Sequence, residues 1–429
     1  MRAIAALVFL VSIAGRASAF AQDFDRHFTA EALRIDLYHG GDASRETYSL
    51  DELRAEPFYA GSRTNLVDTL NLGEYIVRVF DLATNAMIFS RGYSTVFAEW
   101  STTDEALAGF TRVFHESIVM PFPKAPVQVR IERRDRNRVF KPVFDLAVDP
   151  ADWHINRERR FRELRVVELL DHAPSERAVD LVILGDGYRR DEMHKLRKDA
   201  DRLLGALFDM EPFKSRKRDF NVRLVETVSA DSDIDEPREG RWRGNLLGCS
   251  FDAFDIPRYV LSFSNKVMRD VAGNVPYDAV LILANAKRYG GGGIYQLYAI
   301  STVDNEHSAF VFTHEFGHSF AGLGDEYYTS EVAYNDMYPR GVEPWEPNIT
   351  AMLDSTAVKW GDLIAPGTPV PTPDDSLYAD VVGCFEGAGY SAKGLYRPTR
   401  DCRMFSKKAD SFCPVCRRAI ERAIDHYVK

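Results

Sequence analysis

The stretch from Thr313 to Tyr327 limits what this chain can fold into more than any other. It contains His-Glu-x-x-His, formed by His314, Glu315 and His318. On a helix, residues four apart share a face, so the two histidines can offer imidazole nitrogens to one metal ion. Glu315 then stands beside that ion and can take a proton from water. Phe310, Val311 and Phe312 precede the motif, and Phe316 and Phe320 are interleaved with it, so the helix belongs in a core. Gly322 is the expected stop, since glycine readily takes the left-handed conformation that ends helices. The stop has a chemical purpose. Continued as helix, Asp325 would lie roughly 10 Å beyond His318 along the axis, whereas zinc ligands stand about 2 Å from their ion. Gly322 and Gly324 permit the chain to fold back, which makes Asp325 the candidate third ligand.

The rest of the chain is too long, at 429 residues, for one comfortable core, and two domains are expected. Residues 23–160 read as a β-sandwich of short strands and frequent turns. Strands are expected at Glu74–Phe80, Ala86–Phe89, Phe110–Phe114, Val127–Ile131 and Val139–Lys141, with Arg134–Asn137 as a hairpin tip. His115-Glu116 lies in a strand pattern without a second histidine four residues on, and reads as structural. A charged segment, Asp149–Glu176, carries Pro150 and Pro174 and places the domain boundary near residue 160.

Beyond it the texture alternates. Val179–Leu184, Phe220–Val225 and Ala279–Leu283 read as buried strands, and Arg190–Phe208, Tyr259–Val271 and Arg417–His426 as helices. The run Gly290–Gly293 has no Lys-Ser/Thr pair after it and is no phosphate loop. It fits a flexible hairpin or rim beside a cleft, where a substrate backbone can come close. Asp231, Asp233 and Asp235 alternate as in a calcium loop, but the glycine and glutamate such a loop needs are missing. Calcium is weakly supported, and a solvated acidic loop is the better reading. Tyr334–Pro373, rich in Pro, Asp and Trp, reads as irregular structure over the site.

The N-terminus has the layout of a cleavable export signal over residues 1–21: Arg2, an apolar run from Ala3 to Ala14, then small residues at Ala17, Ala19 and Ala21. The run is too short to span a bilayer, so an exported protein without membrane insertion, periplasmic or extracellular, is expected. The formal charge is −10 with no basic stripe, which argues against nucleic acid as a partner. Four of the five cysteines, Cys384, Cys402, Cys413 and Cys416, crowd the C-terminal end. In an oxidising compartment disulfides are expected among them, with a four-cysteine structural zinc site as the rival and Cys249 as a spare thiol.

Residues 314–327 resemble the metal site of the zincins, and more closely of the metzincin-like enzymes. A longer resemblance, to the IgA peptidase family of secreted bacterial metallopeptidases, is carried by Leu184–Tyr188, Tyr289–Tyr295, the metal motif, Asp401–Met404 and Phe412–Cys416. It implies a metzincin-like catalytic domain over 161–429, with a mixed open sheet and an active-site helix. The β-rich region, 22–160, resembles that family's N-terminal domain. The resemblance further implies that Met404 forms a turn beneath the metal. Asp325 follows His318 by seven positions where the usual third ligand follows by six, which leaves Glu326 as the alternative to Asp325.

The expected activity is a zinc-dependent endopeptidase with one catalytic ion held by His314, His318 and Asp325 and with Glu315 as general base. Its partner is a protein or peptide substrate, expected to pair with the strand near Tyr298–Ser301. Tyr327 and Tyr328 are candidates to face the scissile oxygen. Two other readings share the motif: a zinc hydrolase acting on a non-peptide amide, and a secreted binding protein with a degenerate site.

Overall fold

The computed structural model describes residues 23–329 and 337–429; the expected export signal and the start of Tyr334–Pro373 lie outside the described residues. A short helix, α1 (Phe24–His27), leads into a long antiparallel hairpin of β1 (Phe28–Gly41) and β2 (Glu46–Glu56). Sequence reading did not single out this hairpin, because β2 is polar and largely solvent-facing. Then follow β3 (Tyr75–Asp81), β4 (Met87–Tyr93), α2 (Val96–Trp100), α3 (Asp104–Leu107), β5 (Arg112–Pro123), β6 (Val127–Arg134) and β7 (Phe140–Val148). They form two antiparallel sheets, in the orders β2-β1-β5 and β4-β3-β6-β7. Alternation in β6 buries Val127, Val129 and Ile131, which share one core with Leu33, Ile35 and Leu37 of β1.

The second part of the chain builds a mixed six-stranded sheet from β8 (Val166–Leu170), β9 (Val179–Asp186), β10 (Phe220–Val225), β13 (Ala279–Ala284), β14 (Gly291–Ile294) and β15 (Tyr298–Thr302), in the order β14-β15-β13-β9-β10-β8. A small ladder of β11 (Cys249–Ser250) and β12 (Leu261–Ser262) lies outside it. The inner four strands run parallel, and β14 and β8 pair antiparallel at the edges. Both faces are covered, which is why Leu181–Leu184 of β9 and the whole of β13 are apolar. Val179, Leu181 and Ile183 meet helices α4 (Met193–Phe208), α6 (Ser308–Ala321) and α7 (Pro414–Val428). Val182 and Leu184 point the other way, toward α5 (Asn265–Ala272) and α2 of the β-rich part. A last hairpin, β16 (Phe385–Ala388) and β17 (Ser391–Arg397), precedes α7.

Two expectations need correction. The helix expected over Tyr259–Val271 begins only at Asn265; Tyr259 and Val260 are extended and pair with Gly291. Their β-branched and aromatic side chains favour that state. The strand expected to receive substrate, Tyr298–Ser301, lies inside the sheet, paired to β14 on one side and β13 on the other. It has no edge to offer.

The β-rich part is fastened to the rest through polar contacts as well as α2. Arg34, buried in β1, pairs with Asp36, Glu56 and, across the junction, Asp270 at 2.5 Å. Arg91 of β4 donates to the Tyr427 hydroxyl at 2.6 Å. Ser94 N–H donates to the Tyr295 carbonyl at 3.0 Å.

Candidate metal centre and active-site cleft

Helix α6 ends where the sequence requires. Gly322 adopts φ +62°, and its N–H bonds the His318 carbonyl at 3.0 Å. The chain then folds back, and Leu323 presents its carbonyl to His318 Nδ1 at 2.5 Å. His314 Nδ1 faces the Arg403 carbonyl at 3.0 Å. A carbonyl can only accept, so in the neutral rings both Nδ1 atoms carry the proton and both Nε2 atoms keep a lone pair.

Those lone pairs converge. His314 Nε2 and His318 Nε2 are 3.1 Å apart, and Asp325 Oδ1 lies 3.0 Å from the first and 3.3 Å from the second. The other oxygen, Asp325 Oδ2, accepts a short hydrogen bond from the Tyr390 hydroxyl. Glu326 points elsewhere, its carboxylate 3.1 Å from Cys416 Sγ, so the structure brings Asp325 and not Glu326 to the histidines. Burial would raise the Asp325 carboxyl, but the two imidazoles hold it well below the usual carboxylate range. Desolvation would lower His318, yet Asp325 raises it to about 9. Burial pushes the Glu315 carboxyl up, against the opposing pull of His314 and His318.

The glycine run lies beside the cleft, as expected, in the β14–β15 hairpin, and it also has a packing role. A Cβ on Gly293 would stand 2.4 Å from the Glu315 carbonyl oxygen, and one on Gly291 would stand 2.4 Å from Val311 Cγ1. The missing side chains let α6 lie directly on β14. Met404 is fully buried, and its sulfur would lie 3.1 Å from a Cβ on Gly317, one residue before His318. The turn Cys402–Phe405 that carries it closes with a 2.8 Å bond from Phe405 N–H to the Cys402 carbonyl.

A cleft of about 880 Å³ opens over His314, Glu315, His318 and Asp325. Tyr327 lines it, whereas Tyr328 packs against Gly387 and Arg397, away from it. Sequence reading missed three contributors: Arg258, which interacts with Tyr327, Tyr390, and the turn between β6 and β7. Arg134, Arg136 and Arg138 of that turn form part of the cleft wall. Arg138 is tied to Glu74 at 3.1 Å and to the Glu343 carbonyl at 3.0 Å. Nothing local marks these residues, which reach the site from distant parts of the chain.

The other sequence candidates have protein partners. His115 sits between Asp51 and Asn265, as a structural histidine would. In the acidic loop, Asp231 accepts from Gly244 N–H, Asp235 from Arg243 N–H, and Glu236 pairs with Arg241 and Arg288. The expected disulfides are not formed: all five cysteines are free thiols. Cys402 and Cys416 have sulfurs 3.8 Å apart, well beyond a bond of about 2.05 Å. Cys384 contacts Met352 Sδ at 3.6 Å and does not join the other three, which also removes the four-cysteine zinc site.

No helix among the described residues is long and apolar enough to cross a membrane. No curated protein matches the chain. The family model described as IgA Peptidase M64 matches residues 167–378 and 374–424, and the one described as Peptidase M64 N-terminus matches 23–145. Those matches cover most of the sequence and take in the cleft, the paired histidines and the β-rich part alike, so the chain belongs to the IgA peptidase M64 family of peptidases.

Proposed function

We propose that the protein is an exported, zinc-dependent endopeptidase. Residues 22–160 would be its β-sandwich domain and 161–429 a zincin-like catalytic domain, with the signal at 1–21 removed on export. The observation that carries the zinc reading is the meeting of three electron-rich atoms, His314 Nε2, His318 Nε2 and Asp325 Oδ1, at 3.0 to 3.3 Å. Asp325 Oδ1 is buried without a hydrogen bond. Without a metal only a proton can separate such atoms, as the raised His318 shows, and two imidazoles with a carboxylate suit zinc in its place.

Bound there, zinc would polarise the scissile carbonyl and acidify a water. The protein's own groups supply the remainder. Glu315, half-buried beside the histidines, accepts the water's proton and returns it to the leaving nitrogen. Arg403 and Leu323 carbonyls fix both imidazoles in the ligating tautomer. Tyr390 holds Asp325 so that Oδ1 faces inward.

Substrate backbone would add to the outer edge of β14, in place of the strand expected from sequence. Gly291 is already paired by Arg258 and Val260, so the accepting position is Gly293, on the same edge two residues on. The test is hydrolysis of an unfolded protein by the purified chain and by Glu315→Ala, with metal content measured in both. Loss of cleavage with zinc retained supports the reading; a folded wild type without zinc would overturn it.

A further inference from the structure

Behind the wall that carries Asp325 there is a second convergence of ligand-type atoms. Glu326, Cys402, Cys413 and Cys416 are all buried, and their ligand atoms lie within 4.8 Å of one another. Cys402 Sγ is 3.8 Å from Cys416 Sγ, and Glu326 Oε1 is 3.1 Å from Cys416 Sγ and 4.0 Å from Cys413 Sγ. Sulfur and oxygen ligands about 2.3 and 2.0 Å from one tetrahedral zinc stand roughly 3.5 to 3.8 Å apart. The observed separations bracket that spacing.

Glu326 gives an independent indication. It is fully buried, Oε1 accepts from Asn348 Nδ2 at 3.0 Å, and Oε2 has no hydrogen-bond partner. Among the described residues it makes no ion pair with lysine, arginine or histidine within 4.0 Å. A carboxyl enclosed in this way either holds a proton or sits beside a cation, and the three sulfurs around it favour the cation. The sulfurs receive what thiolates need: Cys413 N–H points to Cys402 Sγ at 3.2 Å and Cys416 N–H to Cys413 Sγ at 3.4 Å. Cys413 also caps the N-terminus of α7, where the helix dipole favours negative sulfur.

We propose that Glu326, Cys402, Cys413 and Cys416 bind a second zinc ion in a closed, structural site. Three thiolates select a soft, tetrahedral metal, and four buried protein ligands leave no open position for chemistry. The ion ties together the chain leaving α6, the methionine turn and the start of α7. That turn is the same segment whose Arg403 carbonyl orients His314 and whose Met404 carbonyl accepts from Glu326 N–H at 2.9 Å. The second ion is thus a brace for the first site.

The proposal uses none of the residues assigned to catalysis, and its test separates the two. The purified full chain and its His318→Ala variant are assayed for zinc by elemental analysis, for zinc neighbours by X-ray absorption, and for thiols under denaturing conditions with chelator. Expected are about two zinc ions in the wild type and about one in His318→Ala, with sulfur as the main neighbour at about 2.3 Å and all five thiols titrating. Glu326→Gln should lose the sulfur-bound ion in part and Cys416→Ser in full. A His318→Ala protein without zinc, another metal in its place, or two fewer thiols through a disulfide would each overturn the proposal. The His318→Ala sample answers even where Cys416→Ser fails to fold. A single wild-type ion with sulfur neighbours that survives His318→Ala supports this site while removing the catalytic zinc.

Discussion

Asp325 and Glu326 are consecutive, yet their carboxylates serve opposite sides of one wall. Asp325 Oδ1 stands 3.0 Å from His314 Nε2, and Glu326 Oε1 stands 3.1 Å from Cys416 Sγ. Extended backbone alternates its side chains, so an insertion or deletion between Gly322 and Asp325 would exchange the two acids. The swap Asp325→Glu with Glu326→Asp keeps charge and order but changes reach at both positions. Proteolytic activity should fall at least tenfold in this double variant, as measured on an unfolded substrate. Wild-type activity would show that neither carboxylate is positioned as described.

Glu315 should be separable from metal binding. Glu315→Gln keeps the side chain's volume and removes the base, so kcat should fall roughly 10²- to 10⁴-fold while zinc content stays constant. Unchanged kcat would remove Glu315 from proton transfer.

The metal-free protein should show a pH dependence of stability that traces to His318. Its folded pKa is raised to about 9 by Asp325, against the desolvation that would lower it. A raised pKa means that the proton-bound form stabilises the fold. That contribution is complete below the unfolded value of about 6.5 and is lost as pH rises through about 9. The melting temperature of chelated wild type should therefore decline between these values, and that of His318→Gln should decline less. Zinc uptake in the same interval should release protons, measurable by calorimetry in buffers of different ionisation enthalpy. Parallel melting curves for the two chelated proteins would count against the assignment.

Gly293→Ala tests the contact between β14 and the motif helix. The new Cβ would meet the Glu315 carbonyl oxygen at 2.4 Å and His318 Cβ at 3.0 Å, so α6 must move. Overpacking of this kind costs about 1–3 kcal/mol, and activity should drop further than stability because both displaced residues belong to the site. An active, fully stable variant would mean that the helix has slack there.

Arg34→Met tests the junction between the two parts of the chain. It leaves Asp36 and Glu56 buried without their cation, while Asp270 keeps Arg160 at 3.2 Å and Arg54 at 3.6 Å. Breaking a buried ion pair from one side costs about 3–5 kcal/mol, to be measured by urea denaturation. A loss below about 1 kcal/mol would show the network to be dispensable.

What could be read from the sequence was local. The helix, its stop at Gly322 and the shared face of His314 and His318 follow from spacing within one turn, and the apolar runs of β9 and β13 announced a sheet covered on both faces. What escaped depends on strand order and on distant partners. Tyr298–Thr302 reads like an edge strand until β14 is seen outside it. The cysteines suggested disulfides because spacing alone could not show that Cys384 sits apart and that Glu326 takes its place. Tyr390 reaches Asp325 from 65 positions away, with no periodicity to mark it.

The turn between β6 and β7 lies in the cleft wall, in a part of the chain that holds none of the ligand-type atoms. The floor is confined by glycines packed to contact and would be confined further by a bound metal, so it has little freedom to vary. The arginine-bearing turn is held instead by Glu74, by the Glu343 carbonyl and by the Asn71 and Gly73 carbonyls, none of them a candidate zinc ligand. Two separately adjustable pieces therefore meet at one groove, and selectivity can be retuned by rewriting the lip while the reaction centre is inherited unchanged.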